Sequence, residues 1–186
     1  MKILLHICCA NCALYPLKRL RDEGHEVFGF FYNPNIHPYQ EYSRRLDAVK
    51  DIENRLAVRM IYLDRYDLED FLRSVAFREG ERCRICYHRR LEATGRAAKK
   101  GKFDAFTTTL LGSKLQDYSL IKEIGFAVGR EQGVAFYDAD FREGWKAGIE
   151  MSKELNLYRQ QYCGCIYSEK ERFAPKKVKR SPSICR

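Results

Sequence analysis

Short apolar runs alternate with longer segments of helical spacing along most of the chain. Residues 2–7 form an apolar run that stops at two cysteines, as a buried parallel strand would. Leu14, Leu17 and Leu20 share one helical face, and Gly24 is a natural stop for that helix. The same alternation predicts further strands over 27–32, 58–63, 103–110 and 134–138, and further helices over 38–56, 68–77, 84–100, 115–131 and 144–156.

Strands that alternate with helices predict a parallel sheet with right-handed crossovers. We therefore expect a doubly wound, three-layer α/β fold of the Rossmann-like (HUP-like) kind, with about five strands. One catalytic domain is expected over residues 1–166, followed by a Cys-containing basic tail over residues 167–186. Ligands of such folds bind beyond the carboxyl ends of the strands, so four loops are expected to meet at one rim: 8–12, 33–38, 110–117 and 138–140.

Cysteine usage narrows the chemistry. The 186 residues include 8 cysteines, and no apolar run is long enough to span a bilayer or to serve as a signal peptide. The expected location is therefore cytoplasmic, with no membrane partner. Thiols stay reduced in the cytoplasm, so the cysteines indicate metal or redox chemistry rather than a disulfide scaffold.

Net charge indicates the class of partner. The formal net charge is +9 and the isoelectric point is about 9.2, which indicates a polyanionic partner such as nucleic acid, although charge alone fits a solvated basic surface equally well. The loop after the first strand has neither a G-x-G-x-x-G motif nor a phosphate-binding P-loop. A nicotinamide or ATP site at the usual place is therefore not expected.

Three cysteine motifs fall where this fold places its chemistry. The C-x-x-C motif of Cys83 and Cys86 stands at a predicted helix start, where the helix N-terminus favours thiolates. Alone, this motif also fits a thioredoxin-like redox pair or half of a zinc site. A structural zinc needs only four ligands, whereas a redox-active iron–sulfur cluster gives further thiols a use. The remaining motif cysteines are Cys8, Cys9, Cys12, Cys163 and Cys165, and Cys185 is assigned no role.

Other polar residues near the predicted rim are less specific. His37 lies in a Pro-rich loop and could bind substrate or shuttle a proton, although the loop favours a surface turn histidine. The three consecutive threonines at 107–109 could line a ligand pocket, or they could simply reflect the preference of threonine for β-strands. Glu41 and Arg45 stand one helical turn apart and are predicted to form an ion pair.

Taken together, the motifs resemble one family in composition and order. The chain resembles the QueH family of epoxyqueuosine reductases over nearly everything before the basic tail. Proline commonly stands in that family where this chain has Asn11 and Lys114, which predicts altered loop geometry after the first and fourth strands. The matching segments are CCANC (8–12), NPNIHP (33–38) with Glu41 and Tyr42, RCRICY (82–87), TTTLL (107–111) and LYRQQYCGC (157–165).

The resemblance implies a substrate, a cofactor and residue roles. It implies the reduction of epoxyqueuosine to queuosine at the wobble position of tRNA, the last step of queuosine biosynthesis, without cobalamin. It further implies a four-iron, four-sulfur cluster, an additional iron beside it and an external electron donor. By this resemblance Cys8, Cys9, Cys83 and Cys86 hold the cluster, Cys163 and Cys165 form a redox-active pair, and Cys12 substitutes for a ligand or binds the second iron.

Epoxide removal needs two electrons and two protons, so the site needs a proton donor. Asp117, Asp138, Asp140 or a tyrosine could supply protons, and the sequence does not choose among them. Two other functions remain open at this point. A tRNA sulfur-transfer enzyme predicts a Gly- and Ser-rich ATP loop where this chain has cysteines. A zinc-stapled RNA-binding domain predicts zinc without iron or sulfide.

Overall fold

The computed structural model describes residues 1–175 and contains one five-stranded sheet in which every strand pair is parallel. The strand order is β3-β2-β1-β4-β5, so the chain winds outward from β1 in one direction and then returns to wind in the other. The predicted doubly wound α/β fold is confirmed. The strands are β1 (Lys2–His6), β2 (Glu26–Phe31), β3 (Arg59–Tyr62), β4 (Ala105–Thr108) and β5 (Ala135–Phe136).

Helices cover both faces of this sheet. Helices α1, α2 and α6 pack together on one face, while α4 and α5 pack on the other against β1, β4 and β5. No helix in residues 1–175 has the length and apolarity to cross a membrane. The helices are α1 (Ala10–Asp22), α2 (Tyr39–Arg55), α3 (Leu68–Val75), α4 (Arg82–Lys100), α5 (Tyr118–Gln132), α6 (Trp145–Glu154) and α7 (Ile166–Phe173).

The central strand β1 anchors the core and fixes the position of the first cysteines. Ile3, Leu4 and Leu5 are all fully buried because β1 has neighbouring strands on both edges and helices on both faces. The peptide N–H of Ile7 donates to the Phe30 carbonyl at 2.8 Å, so strand-like pairing continues to the residue before Cys8. The cysteine loop therefore leaves from a rigid element.

Two of the boundaries that differ from the sequence prediction have clear local causes. The predicted end of the fourth strand is instead a short 3₁₀ turn over Thr109–Gly112, where the Thr108 side chain accepts from the Leu110 N–H at 3.1 Å. Helix α5 begins at Tyr118 because Asp117 is its N-cap, with Oδ1 accepting from the Leu120 N–H at 3.0 Å.

Helix α7 was not predicted and lies where the basic tail was expected to begin. Its N-cap is Cys165, whose sulfur accepts from the Ser168 N–H at 3.4 Å. A thiol cap gives no strong sequence signal, because Ser, Thr, Asp and Asn are the usual caps. Cys185 and the tail residues after 175 lie outside the described part of the chain.

Candidate metal centre

Three cysteines form a compact thiol group immediately after β1. The sulfur atoms of Cys8, Cys9 and Cys12 all lie within 4.8 Å of one another. The Cys8–Cys9 Sγ separation is 3.8 Å and the Cys9–Cys12 separation is 2.7 Å. Cys12 reaches its neighbours because α1 begins at Ala10, which turns the next residues back over the strand end. Three soft sulfur donors at this spacing can hold a metal.

The three thiols do not share charge equally. Hydrogen bonds from Cys12 and Cys9 hold the pKa of Cys8 well below its usual range, and the Thr109 hydroxyl lies 3.2 Å from the same sulfur. Burial raises the pKa of Cys9, while hydrogen bonding to Cys8 raises the pKa of Cys12. One thiolate is thus stabilised before a metal binds, and a metal must displace the other protons.

The C-x-x-C pair lies in the first turn of α4, as predicted. Cys86 is buried and Cys83 is exposed. The expected effect of the helix N-terminus on the thiols is wrong for the protein by itself, because burial outweighs it: the pKa of Cys86 is raised to about 12 and that of Cys83 is also raised. Both pKa values are raised although Arg90 lies near Cys86 and Arg82 near Cys83, so both thiols would need a metal to deprotonate at neutral pH.

The C-x-C segment lies beside the C-x-x-C pair and closes against the loop after β2. Gly164 separates its two cysteines with φ at 143°, a conformation that glycine adopts without strain. A Cβ at this position would approach Ile36 and Arg45 to 3.2 and 3.3 Å, so the close contact also favours glycine. The Gly164 carbonyl accepts from the His37 N–H at 2.8 Å. Cys163 remains exposed and Cys165 is buried.

A buried arginine, Arg90 of α4, links the cysteine motifs electrostatically. Only 1% of its surface is exposed, and the thiolate forms of Cys86, Cys163 and Cys8 would interact favourably with its guanidinium and raise its pKa. It donates to the Asn35 side-chain oxygen, while its Nε has no hydrogen-bond partner within residues 1–175. No carboxylate of the described residues forms a salt bridge with it. A buried cation without a carboxylate partner is costly and indicates an anion nearby.

A second buried arginine, Arg45, holds the C-x-C segment. Its side chain is 2% exposed and forms an ion pair with Glu41 at 2.7 Å, which confirms the predicted pairing. It also donates to the carbonyl oxygens of Cys163 at 2.8 Å and Tyr162 at 2.9 Å. Its guanidinium interacts favourably with the charges of Cys9 and Cys8. Arg45 therefore joins α2, the C-x-C segment and the first thiol group.

Sequence comparison places this arrangement in a known family. The family profile described as "Epoxyqueuosine reductase QueH" matches residues 3–171. The chain belongs to the QueH family. It is 37% identical over 172 residues to an epoxyqueuosine reductase QueH of Dehalococcoides mccartyi, covering 92% of this chain and 94% of that protein. It is 36% identical over 180 residues to the QueH of Thermotoga maritima, covering 91% of each.

Structural comparison agrees on the fold. A crystal structure described as a predicted tRNA methyltransferase subunit from Methanocaldococcus jannaschii superposes with a TM-score of 0.51, at 14% sequence identity. The match covers 82% of this chain and 75% of that chain. At this identity the likeness extends to the α/β fold alone.

His37 of this QueH-family chain is not the surface residue that its loop composition favoured. His37 is 1% exposed, and its ring packs 5.2 Å from the Phe71 ring and 6.1 Å from the Tyr66 ring. Neither ring nitrogen has a hydrogen-bond partner within residues 1–175, and burial lowers the pKa of His37 to about 4. The imidazole is therefore neutral near pH 7. Its Pro-rich loop is buried because the C-x-C segment covers it.

The three candidate aspartates have structural partners. Asp117 caps α5, and Asp138 pairs with Lys122 at 2.5 Å. Asp140 accepts from the Arg142 guanidinium at 2.8 and 2.6 Å, and these bonds lower its pKa to about 2. An ionised Asp140 has no proton to give at neutral pH.

Several polar residues that touch the thiols were not identified from the sequence. Gln160 donates to the Cys9 sulfur at 2.9 Å, and Gln116 donates to the Cys163 sulfur at 3.2 Å. Asn11 donates to the Tyr158 carbonyl at 3.0 Å and to the Gln160 side chain at 3.1 Å, so this departure from the family pattern adds contacts. The available signal was the proximity of Gln160 to the C-x-C motif in sequence.

Proposed function

We propose that this chain is an epoxyqueuosine reductase that converts epoxyqueuosine to queuosine in tRNA. Its membership of the QueH family carries the proposal, because members named for this activity align over nearly the whole chain. The interactions of two buried arginines, Arg45 and Arg90, with cysteines of all three motifs support it. The expected cytoplasmic location and the tRNA partner belong to the same proposal.

The donor set fits an iron–sulfur cluster. Soft thiolate ligands select iron–sulfur clusters, zinc and cuprous ions, and the surplus of thiols exceeds what one tetrahedral ion uses. The unpartnered Nε of buried Arg90 also fits an anionic group, which a thiolate-bound four-iron cluster is. We assign Cys8, Cys9, Cys83 and Cys86 as cluster ligands. When bound, such a cluster would supply electrons singly.

Cys12 is proposed as a ligand of a second iron. It shares the compact group with Cys8 and Cys9, but lies on α1 rather than at the strand end. Its side chain also lines a cavity beside the thiol group, so a metal held there would face that cavity. A metal in that position can polarise an epoxide oxygen.

Cys163 and Cys165 are proposed as the redox-active pair. Reduction of an epoxide to an alkene consumes two electrons and two protons and releases the oxygen as water. A reduced dithiol that becomes a disulfide releases the same two electrons and two protons, so the stoichiometry balances without another donor. An external electron donor then restores the dithiol. Exposure of Cys163 leaves that sulfur accessible to such a donor.

Surface charge provides the expected contact with tRNA. The formal net charge is +9, and the phosphate backbone of RNA is attracted to clustered Lys and Arg. Arg45 and Arg90 are buried, so they serve the centre rather than the surface. Because the expected attraction is between surface charges and phosphates, the binding of tRNA should weaken as the salt concentration rises.

Anaerobic reconstitution followed by turnover tests the proposed function. The protein is loaded with iron and sulfide, and then given a strong reductant and tRNA that carries epoxyqueuosine. We expect nucleoside analysis to show queuosine. If the protein binds zinc but neither iron nor labile sulfide, and no epoxyqueuosine is converted, the reductase hypothesis is contradicted and a zinc-stapled RNA-binding domain is favoured. Sulfur incorporation into tRNA would instead favour a sulfur-transfer enzyme.

A further inference from the structure

A cavity of about 350 Å³ lies beside the thiol group at the switch point of the sheet. Its walls come from α1, the turn after β4, α6 and the segment before the C-x-C motif. The chain reverses its winding direction between β1 and β4, which is where open α/β sheets bind ligands. The volume falls within the range of roughly 300–1,000 Å³ that small-molecule sites occupy.

One wall of the cavity is continuous with the cysteines. Cys12 and Thr109 both line it, and the Thr109 hydroxyl lies 3.2 Å from the Cys8 sulfur. Gln160 also lines it and donates to the Cys9 sulfur at 2.9 Å. A molecule in the cavity therefore lies against the residues that contact all three sulfurs of the compact group.

Aromatic side chains form another wall. Trp145, Tyr15 and Phe141 all line the cavity. The Tyr15 hydroxyl donates to Glu143 at 2.8 Å, which fixes the ring. A Cβ at Gly144 would lie 2.1 Å from the Tyr15 ring, so glycine allows the start of α6 to close against α1. Flat, partly buried aromatic surface of this kind stacks with nucleobases.

Polar groups in the cavity match a nucleotide rather than an apolar ligand. Asn11 is part of the wall, and its side-chain oxygen is buried without a hydrogen-bond partner within residues 1–175. Such an oxygen can accept from an amine or ring N–H of a base. Arg159 also lines the cavity, is exposed and forms no salt bridge with the described residues. Its charge is available to a phosphate.

We propose that this cavity binds the unstacked modified base of the wobble nucleotide, with its epoxide-bearing ring towards Cys12. This inference rests on the proposed function, because an epoxide substrate is what gives Cys12 a reacting group to face. The base stacks on Trp145, and the side-chain oxygen of Asn11 accepts a hydrogen bond from one of the N–H groups of the base. Arg159 contacts the flanking phosphate, so recognition is of a single extruded nucleotide.

Intrinsic fluorescence tests the binding directly, because Trp145 is the only tryptophan of the chain. Epoxyqueuosine nucleoside is titrated into the full-length, reconstituted protein, and we expect quenching of the Trp145 emission. The matched variant is Gly148→Leu. A Cβ at Gly148 has no neighbour closer than 3.7 Å, so a leucine fits at its base and fills the cavity beyond it. We expect this variant to lose the quenching.

Kinetics with modified tRNA supply the second measurement. Trp145→Ala should raise KM about tenfold or more through lost stacking, whereas Trp145→Phe should restore most of the affinity. Phe126→Ala on α5 is the control, because this exposed aromatic lies on the opposite face of the sheet and should leave KM unchanged. Iron and sulfide content should be the same in all four variants, which separates lost binding from a lost centre.

The outcomes distinguish the cavity from the reaction. Quenching that persists in Gly148→Leu, with an unchanged KM in Trp145→Ala, overturns the cavity assignment even when the wild-type protein makes queuosine. Conversely, quenching that is seen in the wild-type protein and in Phe126→Ala but not in Gly148→Leu supports binding in the cavity, even when no conversion occurs. In that case only the proposed function is lost.

Discussion

The protein carries its described cysteines in two regions that differ in how they are held. The first region follows the central strand, and its sulfurs lie within 4.8 Å of one another. The second region combines a helix start with a loop, and each contributes one buried and one exposed thiol. The first region consists of Cys8, Cys9 and Cys12, and the second of Cys83, Cys86, Cys163 and Cys165.

The two regions therefore differ in what holds them: backbone structure places the first region, and buried arginines hold the second. Strand pairing and the start of α1 place the backbone of the first region, and Thr109 and Gln160 contact its sulfurs. The second region depends on Arg45, which binds its carbonyl oxygens, and on Arg90, which lies among its thiols with an unpartnered Nε. The first region therefore supplies closely spaced ligands, and the two arginines that contact the second region supply the positive charge that favours an anionic centre.

Removing a ligand from the second region should have the largest effect. We expect Cys86→Ser to lose the iron–sulfur absorption and to reduce kcat/KM at least about 100-fold, because second-sphere changes alone cost 10–100-fold at metal centres. Cys12→Ser is the comparison within the first region and should retain the cluster iron and sulfide. Cluster loss in Cys12→Ser with retention in Cys86→Ser would reverse the ligand assignment.

Removing the buried charge should alter the centre without removing a ligand. Arg90→Met keeps the side-chain length, and we expect the midpoint potential of the reconstituted cluster to become more negative by at least tens of millivolts, since a nearby cation favours reduction. The control is Arg96→Met on the same helix, where the side chain is 68% exposed. Equal potentials in both variants would show that Arg90 acts only in packing.

The ion pair that holds the second region should matter for stability. Glu41→Gln removes the carboxylate partner of buried Arg45, and we expect the free energy of unfolding to fall by about 3 kcal/mol. Glu92→Gln, which breaks the exposed pair with Arg96, should change it by less than about 0.5 kcal/mol. Urea unfolding of the two metal-free variants measures both changes in the free energy of unfolding. Similar losses in Glu41→Gln and Glu92→Gln would contradict the special role of the buried pair.

The fold was predictable because its signals are local and repeated, and the first cysteine region was predictable as part of it. Five strands with intervening helices determine a doubly wound sheet, so Cys8 had to reach the rim. The charge balance of the second region was not predictable. The i,i+4 spacing of Glu41 and Arg45 indicated a pair but not its burial, and nothing local marks Arg90 as buried among thiols.

Two further features were not predicted from the sequence, the burial of His37 and helix α7. The composition of a Pro-rich loop indicates exposure, but the distant C-x-C segment covers this loop through the Gly164 carbonyl. Helix α7 depends on a sulfur cap at Cys165, which composition does not signal. A long-range contact decided the first case, and a local cap by an unusual residue type decided the second.

The last predicted effect should appear in the pH dependence of stability near the second region. The pKa of His37 is lowered to about 4 by burial, so the unfolded state binds more protons between that value and the ordinary value near 6.5. Stability should therefore fall as pH drops from about 6.5 to about 4, by up to about 3 kcal/mol. His37→Phe should lose this part of the slope in urea unfolding at pH 7 and pH 4.5. An unchanged slope would show that other groups cause it.

The composition of the reconstituted centre tests most directly whether the two regions hold one redox cofactor. Wild-type protein and the Cys86→Ser variant are loaded anaerobically, analysed for iron, labile sulfide and zinc, and assayed with epoxyqueuosine-bearing tRNA. For the wild-type chain we expect about four sulfides, at least about four irons and queuosine as the product. For the Cys86→Ser variant we expect no intact cluster and no queuosine. Zinc without sulfide in the wild-type protein, or an intact cluster in the variant, would contradict a centre shared by the two regions.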